Sequence, residues 1–131
     1  MLFFEQKSLY GIKGEVPDDE HVDQLGTAEV RRSGKDRTVV DVRCLVPLDT
    51  RTILGEVRKT GHLFTVEENP RLCGWGAEIA SIVAHECFDD LDGPIVRITT
   101  PHVPLPAAQS MEDAAMPSVE RIVATVRGAM R

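Results

Sequence analysis

A chain of 131 residues, 42% hydrophobic and 27% charged, has the size of one domain and too much apolar content to stay disordered. It is long enough to bury about two-thirds of its unfolded surface. The net charge of −6 argues against a nucleic-acid surface, because Lys and Arg are spread along the chain apart from the pair Arg31-Arg32. An acidic surplus of this kind suits solubility or a basic protein partner.

No window reaches the roughly 18 apolar residues of a membrane helix. The opening MLFFEQKSLY has neither the basic n-region nor the cleavage-like end of a signal peptide. Cys44, Cys73 and Cys87 are odd in number and show no C-x-x-C spacing. That pattern suits three reduced thiols and lacks the ligand pairs of a zinc site.

In chain order, residues 1–10 read as a strand (Leu2, Phe3, Phe4, Leu9, Tyr10) that begins abruptly, as if cut from a longer protein with Met1 added. Residues 11–24 carry Gly11, Gly14, Pro17 and five acids and read as a surface linker. A short strand is expected over 25–31, closed by the turn signal Ser33-Gly34-Lys35-Asp36. RTVVDVRCLV is a β-branched strand-type run ended by Pro47. Asp49 should cap a helix over 50–60, with Gly61 just past its end and Ile53, Leu54 and Val57 as its apolar stripe.

HLFTVEE is the next strand, and a helix over 75–88 follows with Ile79, Ile82 and Val83 at core spacing. The turn DLDGP leads into the strand PIVRITT. A Pro-rich connector, PHVPLPAAQS, then precedes a last helix opened by Pro117, in which Val119, Ile122, Val123, Val126 and Met130 keep the helical period. Strands alternate with helices from residue 37 onward, the pattern of an α/β sandwich with mainly parallel strands.

The stretch RLCGWGAEI, Arg71 to Ile79, places Gly74 and Gly76 between a strand and a helix, where a helix N-terminus can hold an anion. The dinucleotide fingerprint fails, because its third small residue falls on Ile79, and no P-loop Gly-Lys-Ser/Thr is present. Glu78 in the first turn would oppose a phosphate. The turn is therefore read as architecture that lets the helix approach the sheet.

His85 and Cys87 stand two apart on a helix and diverge, so they make no nucleophile–base pair. His21, His62 and His102 are scattered, and His102 has the best position of the four because connectors at strand ends border α/β clefts. DDLDG, Asp89 to Gly93, lacks the alternating oxygen ligands and closing Glu of a calcium loop. Three acids at a helix C-terminus oppose the dipole, and they offer a landing point for a basic partner.

Taken in register, these motifs resemble a known family. FFEQKSLYGIKGEVP resembles the end of the pyrimidine-binding domain and following linker in beta subunits of thiamine-diphosphate-dependent 2-oxo acid dehydrogenases. VVDVRCLVPLDTRTIL, FTVEENPRLCGWGAEIA, FDDLDGPIVRIT and PHVPLPAAQSMEDAAMPSVERIV are similar to successive elements of their transketolase-type C-terminal domain. The resemblance implies a three-layer α/β/α sandwich over 25–131, its sheet mainly parallel with one antiparallel strand. It also implies a heterotetramer with an alpha subunit and a second beta subunit, in bacterial cytoplasm or a mitochondrial matrix. That assembly decarboxylates a 2-oxo acid (pyruvate- or acetoin-type, slightly favoured over branched-chain) and passes the acyl unit to a lipoyl group. Thiamine diphosphate and magnesium belong to the assembly, and none is expected on this chain.

One departure stands out. The family has a strand and a helix between the segments matching GKDRTVV and DVRCLVPLD, whereas here Val40 runs directly into Asp41. A strand with its crossover helix is on the order of thirty residues, so about one unit is missing, through deletion or, the favoured reading, omission from this chain. The resemblance further assigns docking of the acyltransferase's small basic subunit-binding domain to Asp92 and to the terminal carboxylate on Arg131. Two other readings stay open: a stand-alone nucleotide- or small-molecule-binding α/β module, and the terminal domain of a transketolase or deoxyxylulose-phosphate synthase.

Overall fold

The computed structural model describes residues 13–15, 18–20, 22, 24–104 and 106–130. The strand expected over 1–10, His21 and Arg131 lie outside the described residues, as does part of the linker expected over 11–24. Four strands and four helices follow in the order β1 (Glu29–Arg32), β2 (Val39–Asp41), α1 (Thr50–Thr60), β3 (Phe64–Pro70), α2 (Gly76–Glu86), β4 (Val96–Thr100), α3 (Gln109–Ala115) and α4 (Val119–Ala129).

The best-specified element is α1. Asp49 accepts from the Thr52 amide at 3.1 Å and its hydroxyl at 2.7 Å, and also from the Ala28 amide at 3.0 Å. One carboxylate therefore caps the helix and ties it to the segment before β1. At the other end Gly61 adopts φ 67°, and its amide donates to the Val57 carbonyl at 2.8 Å. Ile53 and Val57 of α1 meet Ile79 and Val83 of α2, and Cys87 just past its end, in the buried core. The last helix, α4, starts at Val119, two residues later than an opening Pro117 suggests. Ser118 is the cap, accepting from the Arg121 amide at 3.2 Å, and Pro117 stands before it.

The α/β class expected from the alternation is present, with β3 and β4 parallel and β1 antiparallel to β2. Among the described residues the strands form two separate pairs, β1-β2 and β3-β4. Thr65 and Glu67 of β3 face the start of α2. The pleat turns Val66 to the other face, where it shares a cavity wall with Ile122 and Val126 of α4.

The long strand read into RTVVDVRCLV is cut to Val39–Asp41. The Asp41 carboxylate takes the Arg43 amide at 3.1 Å, and Arg43 turns to φ 55°. A side chain that captures a nearby amide competes with the ladder, and here it wins. The connector expected after β4 contains an additional helix, α3, whose seven residues are too few to display a period. The helix expected to reach Phe88 stops at Glu86 and continues as a tighter turn over Phe88–Asp90.

Candidate functional site

The Gly74-Trp75-Gly76 turn sits at the carboxyl end of β3, where α2 begins. Its helix N-terminus does hold an anion, and the anion is the protein's own. The Glu67 carboxylate accepts from the Gly76 amide at 3.1 Å and pairs with the Arg97 guanidinium of β4 at 2.7 Å. The Glu67 side chain is fully buried, and that of Arg97 is 13% exposed. Arg97 stands opposite Thr65 in the parallel register, so it reaches Glu67 on the diagonal of the same face.

The two glycines make this arrangement possible. A Cβ on Gly74 would fall 2.5 Å from Glu67 Oε2, and one on Gly76 would fall 2.6 Å from Thr65 Oγ1 and 2.7 Å from Glu67 Oε1. Both positions must be bare for the carboxylate to reach the helix end. The reading of the turn as architecture therefore acquires a reason: it accommodates an internal cap. Trp75 supplies no side-chain cap, and without Glu67 the Gly76 amide would be buried and unpaired.

This geometry also tests whether a diphosphate fits the turn, and it does not. A phosphate group would have to displace a buried, ion-paired carboxylate from the Gly76 amide, with Glu78 in the first turn adding repulsion. Among the described residues no group of three or more His, Cys, Asp or Glu side chains is placed to hold a metal ion.

The scattered candidates remain apart. His85 is 85% exposed while Cys87 is buried against the Leu54 carbonyl, so the two diverge. His62 Nδ1 lies 2.8 Å from the Thr60 carbonyl, and its ring stacks on Phe64 with centroids 6.4 Å apart. Its packed place is that of a structural residue. His102 is exposed in the connector after β4. Cys44 and Cys73 are free, like Cys87.

At the opposite end of α2 the structure gathers an exposed acidic edge. Asp89, Asp90 and Asp92 are all exposed beside Phe88, which is itself 72% exposed. Asp90 meets Arg58 of α1 at 3.5 Å. The Asp92 amide donates to the Gly61 carbonyl at 2.8 Å, and its carboxylate lies over the bare Cα of Gly61. Among the described residues neither Asp89 nor Asp92 forms an ion pair. The loop carrying Asp92 is therefore pinned to the end of α1, with Asp92 itself exposed.

Sequence reasoning passed over Glu67 and Arg97. The signal was available: in FTVEE and PIVRITT, charges interrupt two strands expected to run parallel, and they have opposite sign. Opposite charges on neighbouring buried strands point to a pair.

Comparison with known proteins agrees with this architecture. Residues 26–122 match the model of the transketolase C-terminal domain. The beta subunit of acetoin:2,6-dichlorophenolindophenol oxidoreductase of Bacillus subtilis is 37% identical over 94% of this chain and 44% of its own length. The beta subunit of the pyruvate dehydrogenase E1 component of Rhizobium meliloti is 34% identical over 97% of this chain and 34% of its own length. The acetoin subunit of Cupriavidus necator is 32% identical over the whole of this chain and 46% of its own length. The chain thus spans between a third and a half of these relatives. The last alignment runs over 157 positions against the 131 residues here, leaving about 26 for which only the relative has a residue. That surplus is close to one strand–helix unit. On the match over residues 26–122, with the parallel pair, antiparallel strand and covering helices that accompany it, the chain belongs to the transketolase C-terminal domain family.

Proposed function

We propose that this chain is the C-terminal assembly and docking domain of the beta subunit of a thiamine-diphosphate-dependent 2-oxo acid dehydrogenase. The observation that carries the reading is the family match joined to relatives that are beta subunits of pyruvate and acetoin enzymes by name. In the full heterotetramer the activity is oxidative decarboxylation of a 2-oxo acid, pyruvate- or acetoin-type, with acyl transfer to a lipoyl group. Its partners are the alpha subunit, a second beta subunit and the acyltransferase's subunit-binding domain. On this reading thiamine diphosphate and magnesium are held elsewhere in that assembly, and for the diphosphate the occupation of the Gly76 helix end by Glu67 supports it. Its place is the bacterial cytoplasm or, in a eukaryote, the mitochondrial matrix.

Within this chain, docking of a basic domain falls to Asp92 and to the carboxylate of Arg131. Support for Asp92 comes from its exposed carboxylate on a backbone anchored at Gly61, with exposed Asp89 and Phe88 nearby. A rigidly presented charge at an interface rim sets encounter rate and register. Asp92→Lys in the assembled enzyme should weaken binding of the acyltransferase's subunit-binding domain at least tenfold by titration calorimetry, with an unchanged circular dichroism spectrum. Equal affinity of the variant and the parent would refute the assignment. A rise in melting temperature with adenine nucleotides or inorganic phosphate would favour a stand-alone ligand-binding module instead.

A further inference from the structure

Phe88 is 72% exposed, and among the described residues it is the one Phe, Tyr or Trp left in solvent, since Phe64 and Trp75 are half-buried. A single exposed apolar residue is ordinary, but this one stands on a fixed support. Its neighbour Cys87 is buried, and Leu91 packs against the same core. The Cys87 amide donates to the Val83 carbonyl at 2.9 Å, the Asp90 amide to the Cys87 carbonyl at 3.1 Å, and the Leu91 amide to the Phe88 carbonyl at 3.3 Å. Arg58 of α1 closes the turn, donating to the Glu86 carbonyl at 3.1 Å and meeting Asp90 at 3.5 Å. The charges around the ring are unequal: Asp90 is matched by Arg58, whereas Asp89 and Asp92 form no ion pair among the described residues.

We propose that Phe88 is the apolar anchor of the docking surface, covered by aliphatic side chains of a small basic domain whose Lys or Arg groups reach Asp89 and Asp92. This rests on the docking reading of Asp92 and adds where the affinity resides. A second copy of this chain is a poor occupant. A two-fold contact would bring the same acids of two chains together, each chain carrying a net charge of −6. Covering an aromatic side chain removes about 150–250 Å² from water, and truncating such a ring at the centre of an interface costs most of the affinity that single residues carry. Because the turn is already held by Arg58 and its own amides, little conformational freedom is lost on docking. Salt screens the carboxylates and leaves the ring unaffected. The two contributions therefore separate: dissociation follows Phe88, and association follows Asp89 and Asp92.

The test measures association and dissociation of the acyltransferase's subunit-binding domain on the assembled enzyme by surface plasmon resonance, at low and at high salt. Phe88→Ala should weaken binding at least about tenfold, through faster dissociation that persists at high salt. Phe88→Leu, which keeps a large apolar side chain, should recover most of that loss. Asp89→Asn should slow association at low salt and match the parent at high salt. Melting temperatures should stay at the parent value, because the Phe88 side chain lies mostly in solvent. If Asp92→Lys weakens docking and Phe88→Ala does not, the anchor is overturned and the docking reading stands; if neither weakens it, both fall. A Phe88→Ala loss that vanishes at high salt, or an equal loss in Phe88→Leu, also overturns the anchor. So does a Phe88→Ala beta subunit that no longer joins the alpha subunit, or a 131-residue chain that this substitution converts from dimer to monomer, since another surface would then cover the ring.

Discussion

Removing the Glu67 carboxylate tests the account of the glycine turn most directly. Its side chain is fully buried, and it satisfies both the Arg97 guanidinium at 2.7 Å and the Gly76 amide at 3.1 Å. Breaking a buried pair by deleting one partner costs about 3–5 kcal/mol, because the other charge is left without compensation. Against a typical domain stability of about 5–15 kcal/mol, Glu67→Ala should lose a large fraction of the total. Gly74→Ala should cost about 1–3 kcal/mol by overpacking, because the new methyl falls 2.5 Å from a carboxylate oxygen held by its ion pair. In the Glu67→Ala background that clash disappears, so the two substitutions should couple by about the same 1–3 kcal/mol. Glu67→Gln keeps the shape, and there Gly74→Ala should keep its cost. Urea unfolding followed by circular dichroism and by the fluorescence of Trp75, the sole tryptophan, measures all the terms. The reasoning fails if Gly74→Ala costs as much in the Glu67→Ala background as beside the native carboxylate. It fails equally if Glu67→Ala alone costs under about 1 kcal/mol, far below the buried-pair range.

Asp49→Ala should destabilise the chain by about 1–2 kcal/mol through loss of the α1 cap, measured by the same denaturation. The Thr52 hydroxyl first, then the Ala28 and Thr52 amides, hold the Asp49 carboxyl below its ordinary value. The unfolded chain therefore takes up this proton first as pH falls. The difference between parent and Asp49→Ala should be constant from pH 7 to about 5 and shrink as pH falls below about 4 through the folded value. Growth of the difference on acidification would contradict the sign. Gly61→Ala should cost about 1–2 kcal/mol from its φ of 67° alone. Its added methyl would also fall on Asp92, so docking should weaken beyond what the stability change explains. A Gly61→Ala variant with native docking would separate Asp92 from that surface.

What could be read from the chain as a string was the set of strongly local elements. Asp49, the stripe of Ile53, Leu54 and Val57, and Gly61 specify α1 to the residue, because cap, period and stop lie within about a dozen positions. The strands β3 and β4 and the alternation that makes the chain α/β were legible for the same reason. Ordered motifs in one register then carried the family. Three features required the tertiary structure. A seven-residue helix such as α3 shows no period, and the shortening of β2 depends on where the Asp41 carboxylate turns. The role of the Gly74–Gly76 turn depends on Arg97, thirty residues from Glu67, arriving on the neighbouring strand. Spacing alone marks a helix end fit for an anion, but only packing decides whether that anion is a ligand or a buried side chain. Here β4 brings a guanidinium to Glu67, and the protein keeps the place for itself.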